Sequence, residues 1–132
     1  MATQVVSVFG LGSMGLGVAC SALAGGHDVF GFDINAQSQS KFIARGGQTG
    51  VVKNTVSKSD VVVSVVLNGP QTEDLLFGAE GVVPQMKSGS VVVSCATLAP
   101  ETAQRLAKKC EAKYTWANER FLKSTLRMRR VN

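Results

Sequence analysis

Gly10, Gly12 and Gly15 carry the most chemically suggestive spacing in this chain, within the run Gly10-Leu11-Gly12-Ser13-Met14-Gly15. The pattern G-x-G-x-x-G follows an apolar, β-branched segment (QVVSVF, 4–9) and precedes a helical one, the context that gives it meaning. Gly10 allows a tight turn. Gly12 lacks a Cβ, so a pyrophosphate can approach the backbone. Gly15 lets helix and strand pack closely. The diphosphate would sit on free backbone N–H groups at the positive end of the helix, which makes Gly10, Leu11, Gly12, Ser13, Met14 and Gly15 the candidate cofactor-binding run. The side chains of Met14 and Leu16 are read as packing groups. Asp33 stands eighteen residues after Gly15, at the end of a second strand. Its carboxylate would accept hydrogen bonds from ribose hydroxyls and repel a 2′-phosphate, which favours NAD over NADP. Lys41 and Arg45 are the basic groups that would temper this preference.

Ligands of parallel sheets bind at the C-terminal ends of the strands. That rule brings two further segments to the same crevice, Leu67-Asn68-Gly69-Pro70 and Cys95-Ala96-Thr97. The Thr97 hydroxyl either meets a ligand or caps the helix that follows. Asn68 either meets a ligand or serves the turn. His27, in the turn before the second strand, reads as an ordinary exposed turn residue. Cys20, Cys95 and Cys110 have neither a CxxC pair nor metal-ligand spacing, and read as small hydrophobes with reduced thiols, which suits the cytoplasm.

The elements that must hold these residues alternate in type. Strands are expected over 4–9, 28–33, 60–67 and 90–94, with a short one over 48–52. Helices are expected over 13–26, from an N-cap at Asn35 to Arg45, over 70–77 and from Pro100 to about Ala112, with one turn over 54–58. The nearly continuous valine of DVVVSVVL suits a strand covered on both faces. The alternation implies an α/β fold, a Rossmann-type doubly wound, mostly parallel sheet in a single domain over 1–112, followed by an atypical basic tail over 113–132.

The net charge of +5 is confined to that tail. Residues 1–112 carry eight basic and eight acidic side chains, whereas residues 113–132 carry six basic groups and one acid. The body is therefore not a nucleic-acid binder by charge, and no apolar run reaches the ~18–20 residues that span a membrane. The early position of Gly10 leaves no room for a targeting peptide before it, so none is expected.

GLGSMGLGVA, GFDIN and the segment from VVLNGPQTEDLLFG to SCATLAPETAQRLA resemble the β-hydroxyacid dehydrogenases, over about residues 4–112. The Asn68 and Ser94-Cys95-Ala96-Thr97 versions look most like the L-threonate branch. The resemblance implies a nicotinamide-dependent oxidation of a hydroxyl on a small carboxylic acid. Gly10–Gly15 would hold the diphosphate and Asp33 the adenosine ribose. Leu67 and Asn68 would lie along the cofactor, with Thr97 near its nicotinamide half. The family continues with a substrate segment of the D-A-P-V-S-G-G type and a catalytic lysine in a second, all-α domain. Neither follows residue 112, so no catalytic residue is assigned. The tail reads as a truncation, an altered reading frame or an alternative splice end. The apolar surface that a second domain would cover makes a homo-oligomer an expectation.

Three readings follow. The chain is the NAD domain of a hydroxy-acid oxidoreductase, inactive alone; or a non-catalytic NAD(P)-binding or regulatory module; or an interaction protein working through its basic tail, where Leu122, Leu126 and Arg129 would share a helical face.

Overall fold

Val5–Phe9 (β1), five residues of mostly β-branched and aromatic side chains, is the first strand of the sheet. The computed structural model describes residues 3–110 and the backbone of Thr115–Asn118. After β1 the order is α1 (Ser13–Ala24), β2 (Asp28–Phe32), α2 (Ala36–Ala44), α3 (Val52–Val56), β3 (Val61–Ser64) and α4 (Gly69–Phe77). A short 3₁₀ turn, Val83–Gln85, then leads to β4 (Val91–Ser94), α5 (Pro100–Cys110) and β5 (Thr115–Asn118). All five strands are parallel, in the order β2-β1-β3-β4-β5. The chain winds from β1 outward to β2, then crosses back to β3 on the other side. This is a doubly wound Rossmann sheet whose direction reverses between β1 and β3, the place where such folds bind ligands.

Period-two alternation sends successive side chains to opposite faces. Val6, Val8, Val29, Val61, Val63 and Val93 pack on one face with α1 and Phe42 of α2. Phe9, Phe30, Phe32, Val62 and Val92 pack on the other with Val56 and Leu76. The Val61–Ser64 strand is buried throughout because both faces are covered. Phe9 and Phe32 stack at 4.9 Å across β1 and β2. Burying a side chain of this size stabilises the fold by roughly 1.5–3 kcal/mol.

Three local expectations are corrected. The short strand over 48–52 is a single bridge between Gln48 and Phe30, and helix α3 begins at Val52. His27 is buried, not exposed, and its Nδ1 accepts the Gln4 N–H at 3.1 Å. That ring supplies an acceptor to an amide at the start of the sheet. Finally, Thr115–Asn118 pairs with β4 as a fifth strand, so the sheet runs past residue 112, where the sequence places the domain end. A four-residue strand between Tyr114 and Glu119 shows no long apolar run. The amphipathic reading of Leu122, Leu126 and Arg129 lies outside the described residues.

Among the described residues, no helix is long and apolar enough to cross a membrane.

Candidate functional site

The turn after β1 is built by close contact. Gly10 has φ +99°, and its N–H donates to the Phe32 carbonyl at 2.9 Å. A Cβ on Gly10 would lie 2.1 Å from the Val65 carbonyl oxygen, and one on Gly15 would lie 1.7 Å from the Gly10 carbonyl oxygen. Backbone blocks both positions, so only glycine fits. Gly12 differs, because a Cβ there would meet nothing within 4 Å. The missing side chain at Gly12 leaves space, not contact.

Helix α1 begins directly after Gly12, with no side-chain cap and no acid in its first turn. The first amides of a helix have no intrahelical carbonyl to bond. Those of Ser13, Met14 and Gly15 therefore remain as donors where the helix dipole is positive. These residues and Gly12 line an open crevice of about 300 Å³, bordered by Val65, Val66 and Leu67 after β3 and by Cys95, Ala96 and Thr97 after β4.

Of the residues predicted from sequence, Gly12, Ser13, Met14, Gly15, Leu67 and Thr97 line this crevice, while Gly10, Leu11, Asp33 and Asn68 do not. Gly10 shapes the turn beneath it. The Leu11 side chain is buried in the core, and its N–H is given to Asp33, not to the crevice. Asp33 is half-buried beyond β1. Its Oδ2 accepts the Leu11 N–H at 2.7 Å and its Oδ1 the Asn35 N–H at 2.8 Å. A carboxylate has about four acceptor positions, so two directions remain open for hydroxyl donors. Asn68 serves the turn: its Oδ1 accepts the Gln71 N–H at 3.0 Å and caps α4. Thr97 is exposed and does not cap α5, since that helix starts at Pro100 and the Ala99 carbonyl takes its first bond, from Ala103.

Val65 and Val66 are lining residues that the sequence reading missed. The unbroken apolar run DVVVSVVL hides where the strand ends. The expected strand reached Leu67, but it stops at Ser64. Among the described residues, no Lys, Arg, His, Asp or Glu lines the crevice. Its described lining presents helix amides and a dipole suited to an anion, and no charged acid or base. Among the described residues, no cluster of three or more His, Cys, Asp or Glu could hold a metal ion.

Residues 5–117 match the family described as the NAD binding domain of 6-phosphogluconate dehydrogenase. The chain is 37% identical over 105 residues to L-threonate dehydrogenase of Cupriavidus necator, covering 79% of this chain and 35% of that protein. It is 29% identical over 109 residues to 3-hydroxyisobutyrate dehydrogenase of Pseudomonas aeruginosa, covering 82% and 37%. Among solved structures it is similar to a 3-hydroxyisobutyrate dehydrogenase from Salmonella typhimurium, with 33% identity and a TM-score of 0.77 over 84% of this chain and 39% of the other. The chain thus spans a little over a third of the length of these relatives. With the glycine turn, the uncapped helix and the parallel sheet in place, the chain belongs to the family of NAD binding domains of the 6-phosphogluconate dehydrogenase type.

Proposed function

We propose that this chain binds NAD as the cofactor half of an oxidoreductase acting on the hydroxyl of a small hydroxy acid, of the L-threonate or 3-hydroxyisobutyrate type. The observation that carries the reading is the uncapped N-terminus of α1, opening at Gly12–Gly15 into a crevice at the sheet's reversal point. Gly12, Ser13, Met14 and Gly15 hold the diphosphate by their amides, on a turn that Gly10 shapes. Asp33 accepts the adenosine ribose hydroxyls, and Leu11 contributes by fixing Asp33. Leu67 and Thr97 border the far half of the cofactor, and Asn68 holds its turn. NADP binds less well, because its 2′-phosphate would face the Asp33 carboxylate.

When bound, the cofactor supplies a hydride acceptor. Turnover also needs a proton acceptor for the substrate hydroxyl and groups that fix its carboxylate. Among the described residues, the crevice lining contains no charged residue for either task. We therefore assign residues 1–132 to cofactor binding and expect no turnover from them alone. The same bare lining supports the second reading, a non-catalytic NAD(P)-binding or regulatory module. The wide spacing of Cys20, Cys95 and Cys110, with no CxxC pair, and the balanced charge of residues 1–112 support a cytoplasmic setting without nucleic-acid or membrane partners. A homo-oligomer remains part of the proposal, through exposed apolar side chains outside the crevice, such as Ile43 and Val51.

Calorimetric titration with NAD and NADP tests the reading. The expected result is NAD binding, with NADP weaker by about tenfold or more, equivalent to ~1.4 kcal/mol. Equal affinity for both, or binding of neither, would contradict it. Addition of L-threonate to the NAD-loaded chain should produce no NADH, and steady NADH formation would overturn the assignment to binding alone.

A further inference from the structure

The Leu67 turn is held by a side chain that does not line the crevice. Gln71 lies exposed on the first turn of α4. Its Oε1 accepts the Leu67 N–H at 3.0 Å, and its own backbone N–H donates to Asn68 Oδ1 at 3.0 Å. The two bonds form a reciprocal clasp: Asn68 secures the helix, and Gln71 secures the turn before it. The Leu67 side chain is 85% exposed, so packing does little to fix this turn. An exposed turn keeps one shape against chain entropy only through such bonds.

Sheet order shows which part of a ligand this turn meets. Asp33 follows β2 on one side of β1, whereas Leu67 follows β3 on the other. A dinucleotide with its ribose at Asp33 and its diphosphate over Gly12–Gly15 extends its remaining half over β3 and β4. There Val65, Val66, Leu67 and Thr97 line the crevice. This placement rests on the NAD reading above.

We propose that Gln71 is a positioning residue for the nicotinamide half of the cofactor. It acts through the Leu67 backbone, and what matters is its acceptor oxygen. Glutamate keeps an acceptor at the same reach. Leucine keeps the bulk and lacks the acceptor. An exposed position on a helix tolerates both.

The full chain, Gln71→Leu and Gln71→Glu would each be titrated with NAD and with ADP, which carries the ribose and diphosphate without nicotinamide. One lost hydrogen bond predicts NAD binding about fivefold to tenfold weaker in Gln71→Leu. ADP binding should stay within about twofold of the parent, and Gln71→Glu should restore NAD to within about twofold. The proposal is overturned by unchanged NAD binding in Gln71→Leu. It is overturned equally by parallel loss of NAD and ADP, the mark of a general structural effect, or by a Gln71→Glu chain as weak as Gln71→Leu. A parent chain that binds neither ligand refutes the NAD reading and this proposal with it. A parent that binds, beside an unaltered Gln71→Leu, refutes only the role of Gln71.

Discussion

The backbone N–H of Leu11 donates to the Asp33 carboxylate at 2.7 Å, tying the glycine turn after β1 to the end of β2. The acid read as the ribose acceptor therefore also braces the turn that would carry the diphosphate. Asp33→Ala would remove the ribose contact and leave the Leu11 amide without its partner. Hydrogen bonds to a charged group are worth about 1.5–3 kcal/mol, so NAD should bind roughly 10–100-fold more weakly. Amide exchange at Leu11 should accelerate in the same variant. Weak binding with unchanged Leu11 exchange would show that the brace does not matter.

Gly12 and Gly15 should separate binding from folding. A Cβ on Gly15 would collide with the Gly10 backbone, whereas one on Gly12 would enter open space. Gly12 also has φ −66°, which alanine adopts without strain. Gly12→Ala should keep the parent's denaturation midpoint and lose NAD affinity by tenfold or more, or about 1.4 kcal/mol. Gly15→Ala should lose about 3 kcal/mol of stability, the upper end for overpacked sites. Urea unfolding and NAD titration of both variants check the contrast.

Glu73 of α4 bonds to Arg105 and to Lys109 of α5, the latter at 3.1 Å. The hydrogen bond from Arg105, then that from Lys109, holds its carboxyl down to about 2, from an ordinary value of 4.5. A carboxyl lowered in the folded state adds stability above its ordinary value and loses it as the pH falls toward the lowered one. Thermal unfolding of the parent and Glu73→Gln should differ by a small, constant amount near neutrality, since exposed ion pairs contribute little. That difference should close between pH 4.5 and about 2. A difference that persists at pH 2 would mean the effect is not ionic.

The three thiols should react at different rates. Cys20 and Cys110 are buried, and burial pushes the Cys110 thiol up to about 11. Cys95 is half-buried and lines the crevice. Reaction needs an accessible thiolate. A disulfide reagent should therefore modify Cys95 first in the folded chain, and saturating NAD should slow that reaction. Mass mapping of the modified peptides with and without NAD provides the check.

Most of the positions that make this site were legible because they obey strong local rules. Gly10, Gly12 and Gly15 sit between a strand and a helix, and the valine strands needed no context to be recognised. Where the strands end was harder to read. The run from Val61 to Leu67 has one composition but two roles, and only pairing to β4 shows that it leaves the sheet after Ser64. The bond from the Leu11 amide to Asp33 was not legible, because spacing cannot show which amide is already bonded. The burial of His27 was not legible, because its ring meets the Gln4 backbone, twenty-three residues away in sequence. The strand Thr115–Asn118 is stabilised by β4, which its own sequence does not reveal.

Amide chemical-shift mapping of the isotopically labelled chain during NAD titration tests the central claim most directly. The account predicts saturable shifts at Gly12, Ser13, Met14 and Gly15, with further shifts at Val65, Val66, Leu67 and Thr97, and smaller ones around Asp33. Shifts confined to other surfaces, or none at all from a folded chain, would contradict it.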